Sequence, residues 1–180
     1  MTTPVTLSLG SNLGDRLASL QQAIDFLCNG APGAGGLTAI AVSGVYETAP
    51  VGGPAQDDYL NAVLLAGTDL SCWQVLQRCQ AAEAALHRVR AQRWGPRTLD
   101  VDVITCGTQQ SADPRLTLPH PRAAERAFVL APWLEVAPDA VLPGRGRVAD
   151  LLAAVGISGV RRLDDAVLTL PGAKPAEPAP

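Results

Sequence analysis

Aromatic residues are scarce: Phe, Tyr and Trp together make up 4% of the 180 residues. A sheet so poor in rings makes a weak stacking platform for bases, and a formal charge of -3 supplies no basic footprint for a nucleic acid. No C-x-x-C pair occurs among Cys28, Cys72, Cys79 and Cys106, and the chain is larger than the small secreted scaffolds that depend on disulfides. Four reduced thiols in a cytoplasmic protein are expected. The start, Met-Thr-Thr-Pro, lacks a basic segment followed by an apolar one, so no export signal is read. Residues 26 to 46 carry no charge, but five glycines and Pro32 interrupt them, and about 20 continuous apolar residues would be needed to span a bilayer. A Walker-type G-x-x-x-x-G-K-[ST] loop is also missing.

What is present has the size and the 47% apolar content of one well-cored domain, expected over residues 1–170, with a disordered Ala/Pro-rich tail at 171–180. Val5, Leu7 and Leu9 alternate with Thr6 and Ser8 as in a strand ending at Gly10, and Leu17, Leu20, Ile24 and Leu27 follow helical spacing over 15–29. Further patterns predict a strand over 37–46, a strand over 59–66, a Ser71-capped helix over 72–88 and a strand through Leu99, Val101 and Val103. The helix stripe is Val75, Leu76, Cys79, Leu86 and Val89, with Gln80, Glu83 and His87 on another side. The order is that of a ferredoxin-like βαββαβ sandwich: an α+β fold with a mainly antiparallel sheet, two helices on one face and the other face open. Residues 113–164 form a C-terminal elaboration with helical patterns at 128–136 and 148–155.

The chemistry concentrates in RWGPRTLDVD, Arg93 to Asp102. Asp100 and Asp102, two apart on a strand, share a face with backbones about 7 Å apart. Such a pair is either a solvated strand face or a site for hard cations such as magnesium. Arg88, Arg90, Arg93 and Arg97 precede it in a stretch without acids. Guanidinium forks beside a carboxylate pair suggest a polyphosphate ligand. Tyr59 and Asn61 share one strand face and could stack on a flat heterocycle and read its hydrogen-bonding edge, or could both be structural. Gly10-Ser11-Asn12-Leu13-Gly14 is read as a tight strand-to-helix turn.

The strings LGSNLGDR, YETAPVG, DYLNAV, Arg-x-Arg with RWGPRTLDVD, and LPH followed by Arg126-Ala127-Phe128 occur in one order between Leu7 and about Pro138. In this the sequence resembles the 6-hydroxymethyl-7,8-dihydropterin pyrophosphokinase family. The resemblance implies transfer of pyrophosphate from ATP to the pterin alcohol, on the way to folate. It implies that Asp100 and Asp102 hold two Mg2+ ions, with Asp100 the candidate base by proximity, and that Arg88 and Arg97 embrace the polyphosphate. Gln80, Glu83, Val103, Thr117, His120 and Arg126 would complete the ATP site. Thr48, Ala49, Val51, Tyr59, Asn61, Asp100 and Phe128 would hold the pterin, under a loop carrying Trp94. It further implies a cytoplasmic monomer acting on small molecules alone, without nucleic acid or membrane. Ala49, where the family often has a second proline, Glu47 and the long Gly30–Gly36 connection depart from the usual pattern. The same carboxylates could serve a phosphohydrolase, which would release orthophosphate instead.

Overall fold

The computed structural model describes residues 2–29, 35–50, 55–86 and 98–171. In chain order the elements are β1 (Thr3–Ser11), α1 (Arg16–Cys28), β2 (Thr38–Val42), β3 (Val45–Thr48), β4 (Tyr59–Thr68), α2 (Cys72–Ala85), β5 (Asp100–Cys106), β6 (Ser111–Asp113), β7 (Leu116–Leu118), a 3₁₀ turn (Ala123–Glu125), α3 (Ala127–Val136), β8 (Val141–Leu142), β9 (Gly146–Arg147), α4 (Val148–Val155) and β10 (Val160–Leu163). The principal sheet runs β10-β3-β4-β1-β5, with β2 also on β4, and each of its pairings is antiparallel. This is the expected α+β architecture.

Local chemistry accounts for the helix starts. The Asp15 side chain accepts from the Ala18 amide to cap α1, and Ser71 with Gln74 forms a capping box on α2. Leu20, Ile24 and Leu27 of α1 and Val75 and Cys79 of α2 pack on Val5, Leu7 and Leu9 of the central strand, making the main core. The single strand expected over 37–46 is two strands. Ser43 breaks it by pairing both ways with Val63: its amide donates to the Val63 carbonyl (3.0 Å), and its hydroxyl accepts from the Val63 amide (2.9 Å).

Two expectations need correction. The second sheet face is only partly open, because Val129, Leu130 and Trp133 of α3 cover Val63 and Ile104 in a smaller core. Not all the cysteines are thiols: Cys72, where α2 begins, is disulfide-bonded to Cys106, where β5 ends, their Cα atoms 5.9 Å apart. The pair is 34 residues apart in sequence, and only the packing of α2 on β5 brings it together. Cys28 and Cys79 are free thiols, and burial pushes the Cys79 thiol up to about 12. Opening a 34-residue covalent loop costs roughly 3–4 kcal/mol by the chain-entropy account, so Cys72→Ser with Cys106→Ser is expected to lower the unfolding free energy by that amount in denaturant titrations.

Candidate active site

Strand register assembles the site from residues far apart in sequence. On β4, β1 and β5, Asn61, Gly10 and Asp100 stand in one cross-strand row, and Val63, Ser8 and Asp102 in the next. Because side chains alternate along a strand, Asn61, Asp100 and Asp102 project from the same face. The Val63 part of that face is covered by α3. The Asn61–Gly10–Asp100 row opens into a cleft of about 1100 Å³.

Gly10 has a specific place in this row. A β-carbon there would lie 3.4 Å from Asn61 Oδ1 and 3.8 Å from the Tyr59 ring. The missing side chain leaves a slot between ring, amide and carboxylate. Asn61 is buried, and its Nδ2 donates to Thr48 Oγ1 (2.8 Å) and to the Tyr46 carbonyl (3.4 Å), which turns Oδ1 toward Gly10.

Asp102 anchors the charged end. Its Oδ2 accepts from Arg126 Nη1 at 3.1 Å and faces His120 Nε2 at 3.7 Å. His120 Nδ1 accepts the Arg122 amide (3.2 Å), so the proton of the neutral ring sits on Nε2 and points at Asp102. The His120 amide donates to the Ile104 carbonyl (2.9 Å), fixing the Leu-Pro-His turn against β5. Burial pushes the Asp102 carboxyl above the usual carboxylate range and Asp100 adds to this, against the pull of His120 and Arg126. Burial likewise lowers His120, with Asp102 opposing. The Arg126 guanidinium lies 5.5 Å from the Phe128 ring centroid, which links the charged end to the aromatic one.

Thr48, Ala49, Tyr59, Asn61 and Phe128 line the cleft, as do Gln80, Glu83, Asp100, Asp102, His120 and Arg126. Two predicted positions are not brought to it. Val103 is buried in the main core, and Thr117 on β7 donates its hydroxyl to the Asp113 carbonyl at 3.0 Å. Val51, Arg88, Trp94 and Arg97 lie outside the described residues, as do Arg90, Arg93 and 172–180 of the tail.

Glu83 corrects the helix reading. It lies on the buried stripe of α2, and its carboxylate accepts the Val101 amide at 2.9 Å, gripping the backbone between the two aspartates. Glu83→Ala is therefore expected to cost about 1–3 kcal/mol by leaving a buried N–H unpaired, while Glu83→Gln, which keeps an acceptor, costs less; thermal melts separate the two.

Sequence reasoning missed three features. Arg115 and Arg122 line the cleft, and Arg115 stacks 4.9 Å from the Trp73 ring while its guanidinium grips Asp113. The turn after β1 does more than reverse the chain. Asn12 Nδ2 donates to Gln56 Oε1 (2.8 Å) and the Asp57 carbonyl (3.0 Å), while Arg16 Nη1 donates to Glu47 Oε1 (3.2 Å) and the Asp58 carbonyl (2.7 Å). That turn therefore staples both ends of the connection from β3 to β4. Aligned polar donors in LGSNLGDR were the available signal. The segment Val155–Val160 also lines the cleft.

Asp100 and Asp102 offer oxygen donors alone, and among the described residues no group of three or more His, Cys, Asp and Glu is placed to hold a metal ion. This donor set fits magnesium, which keeps water and phosphate oxygens in its coordination sphere rather than needing an all-protein cage.

Fold and site thus define an α+β sandwich with a carboxylate- and arginine-lined cleft suited to an anionic phosphate ligand beside a flat ring. The family profile of 7,8-dihydro-6-hydroxymethylpterin-pyrophosphokinase (HPPK) matches residues 6–138, and the chain belongs to this family. It is similar to the 2-amino-4-hydroxy-6-hydroxymethyldihydropteridine pyrophosphokinases of Methylorubrum extorquens (43% identity, covering 90% of this chain and 99% of that one) and Mycobacterium leprae (46%, covering 98% and 96%). Its fold matches the crystal structure of wild-type Plasmodium falciparum HPPK-DHPS with pteroate at a TM-score of 0.67 and 10% identity, covering 86% of this chain. It spans 44% of that longer chain.

Proposed function

We propose that this protein transfers pyrophosphate from ATP to the hydroxyl of 6-hydroxymethyl-7,8-dihydropterin, giving the pterin diphosphate and AMP in folate biosynthesis. The observation that carries the reading is the juxtaposition of Asn61, Gly10 and Asp100 in one strand row with the Asp102–Arg126–His120 cluster in the same cleft. A ring-reading amide on β4 and the charged groups gathered at β5 thus face one cleft across the single strand β1.

Asn61 reads the pterin edge while Tyr59 and Phe128 take its faces, with Thr48 and Ala49 beside it; the resemblance assigns Val51 and Trp94 to the same ligand. The alcohol oxygen forms a bond to the β-phosphorus as the bond to the α-phosphate oxygen breaks and AMP leaves. Arg126 and His120, with Gln80 and Glu83 near the nucleotide, orient the ATP. Arg88 and Arg97 balance the charge of the transferring group, as fixed guanidinium groups do in other phosphoryl transfers. Asp100 and Asp102 are the ligands for two Mg2+ ions, which supply neutralisation of phosphate charge when bound. The enzyme works as a cytoplasmic monomer on small molecules; among the described residues no helix is long and apolar enough to cross a membrane.

The test is product analysis with ATP, Mg2+ and the pterin alcohol. AMP and pterin diphosphate in equal amounts are expected. Orthophosphate alone, with the pterin unchanged, would make the protein a hydrolase and overturn the reading.

A further inference from the structure

Residues 156–160 lie beyond the 6–138 stretch that carries the family match, yet Gly156, Ser158, Gly159 and Val160 line the cleft. Their position is set by three features. The Gly156 amide closes α4 by donating to the Leu152 carbonyl (2.8 Å), and the Val160 amide closes a turn on the Ile157 carbonyl (3.1 Å). Gly156 (φ 78°) and Gly159 (φ 74°) supply the left-handed backbone that this double reversal needs, with open space where a β-carbon would stand. The chain then enters β10, whose first residue, Val160, is the cross-strand partner of Thr48. Thr48 is the residue that orients the Asn61 amide.

Two charged clamps, from consecutive residues, hold β10 in that register. Arg161 pairs with its cross-strand neighbour Glu47, which Arg16 grips from the other side. Arg162 pairs with Glu135 on α3, which also accepts the Tyr46 hydroxyl (2.7 Å). The residue on which the turn ends is thereby fixed one strand spacing from Thr48.

We infer that the Gly156–Val160 turn is a wall of the pterin end of the cleft and limits the size of the ring that the enzyme accepts there. This rests on the proposed pyrophosphoryl transfer to a pterin. Ser158 is exposed and sits on a turn with room around it, so a large side chain there narrows the cleft without touching the core.

The experiment is steady-state kinetics on the full chain with Ser158→Trp, and with Arg161→Ala and Arg162→Ala combined to release β10. Ser158→Trp is expected to raise the KM for the pterin alcohol at least tenfold, with the KM for ATP within twofold and an unchanged melting temperature. The double variant is expected to raise the pterin KM several-fold, again without moving that for ATP. A pterin KM within twofold of wild type in both variants, or an equal rise in both substrates' KM values, overturns the inference while leaving the reaction standing. Absence of pterin diphosphate formation by the unmodified protein overturns both.

Discussion

Asp102→Asn is expected to reduce turnover by at least roughly 10²–10³-fold, the scale of losing one group that stabilises transition-state charge, while leaving the protein slightly more stable at neutral pH. The two halves of this outcome share a cause. The native environment holds the Asp102 carboxyl above its ordinary range, chiefly through burial and then through Asp100. Over the window between the ordinary carboxylate value and the raised one, the folded protein keeps a proton that the unfolded chain has released. Stability therefore falls as pH rises through that window, and the deficit persists above it. Asparagine has the same shape and no charge, so it removes the deficit. Melting curves of the two proteins should converge in acid, where the native carboxyl is protonated, and separate toward pH 7. Near-normal turnover in the variant would remove Asp102 from the reaction.

The second large effect belongs to the other end of the cleft. Asn61→Ala is expected to weaken pterin binding about 100-fold, roughly 2.7 kcal/mol, because the substrate's edge loses its partner at a buried amide. Binding of a non-hydrolysable ATP analogue should change little, since the Asn61 amide is held by Thr48 and the Tyr46 carbonyl, on the β3 side of β4. Thr48→Val is a milder companion. It leaves Asn61 in place but removes the hydroxyl that orients its amide at 2.8 Å, and a roughly tenfold loss is expected. Calorimetric titration with each ligand separates these outcomes; equal losses for pterin and nucleotide would point to a general collapse of the cleft.

Much of this architecture was legible in the sequence because it is encoded locally. Alternation in Val5–Leu9 and in Leu99–Val103, the Ser71 cap and the 3.6-residue spacing of α1 each depend on neighbours a few positions away. The shared face of Asp100 and Asp102 follows from strand geometry in the same way. What escaped reading depends on distant partners. Glu83 falls off the apolar stripe on a helical wheel, yet it is buried, its carboxylate accepting the Val101 amide. Cys72 and Cys106 meet only when α2 lies on β5. The break at Ser43 requires Val63 across the sheet, and β10, with two consecutive arginines among its four residues, shows no alternation until β3 is there to receive it. The LGSNLGDR turn was recognisable as a turn, but its service to the β3–β4 connection involves Gln56, Asp57 and Asp58, more than 40 residues on.

The placement of β10 also bears on how the molecule behaves in concentrated solution. A strand on the outside of a sheet offers unmatched amide and carbonyl groups to any neighbour, and short, positively charged edge strands discourage such stacking. Here β3 is covered by a strand of only four residues, so the border that faces other molecules is brief, and its two arginines are tied into ion pairs with Glu47 and Glu135. A chain ending at residue 138 would retain the residues of the family match yet bare the backbone of β3 along its whole length. Such a fragment should precipitate or form oligomers where the longer chain remains dispersed, so the C-terminal strand guards solubility as well as shaping the cleft.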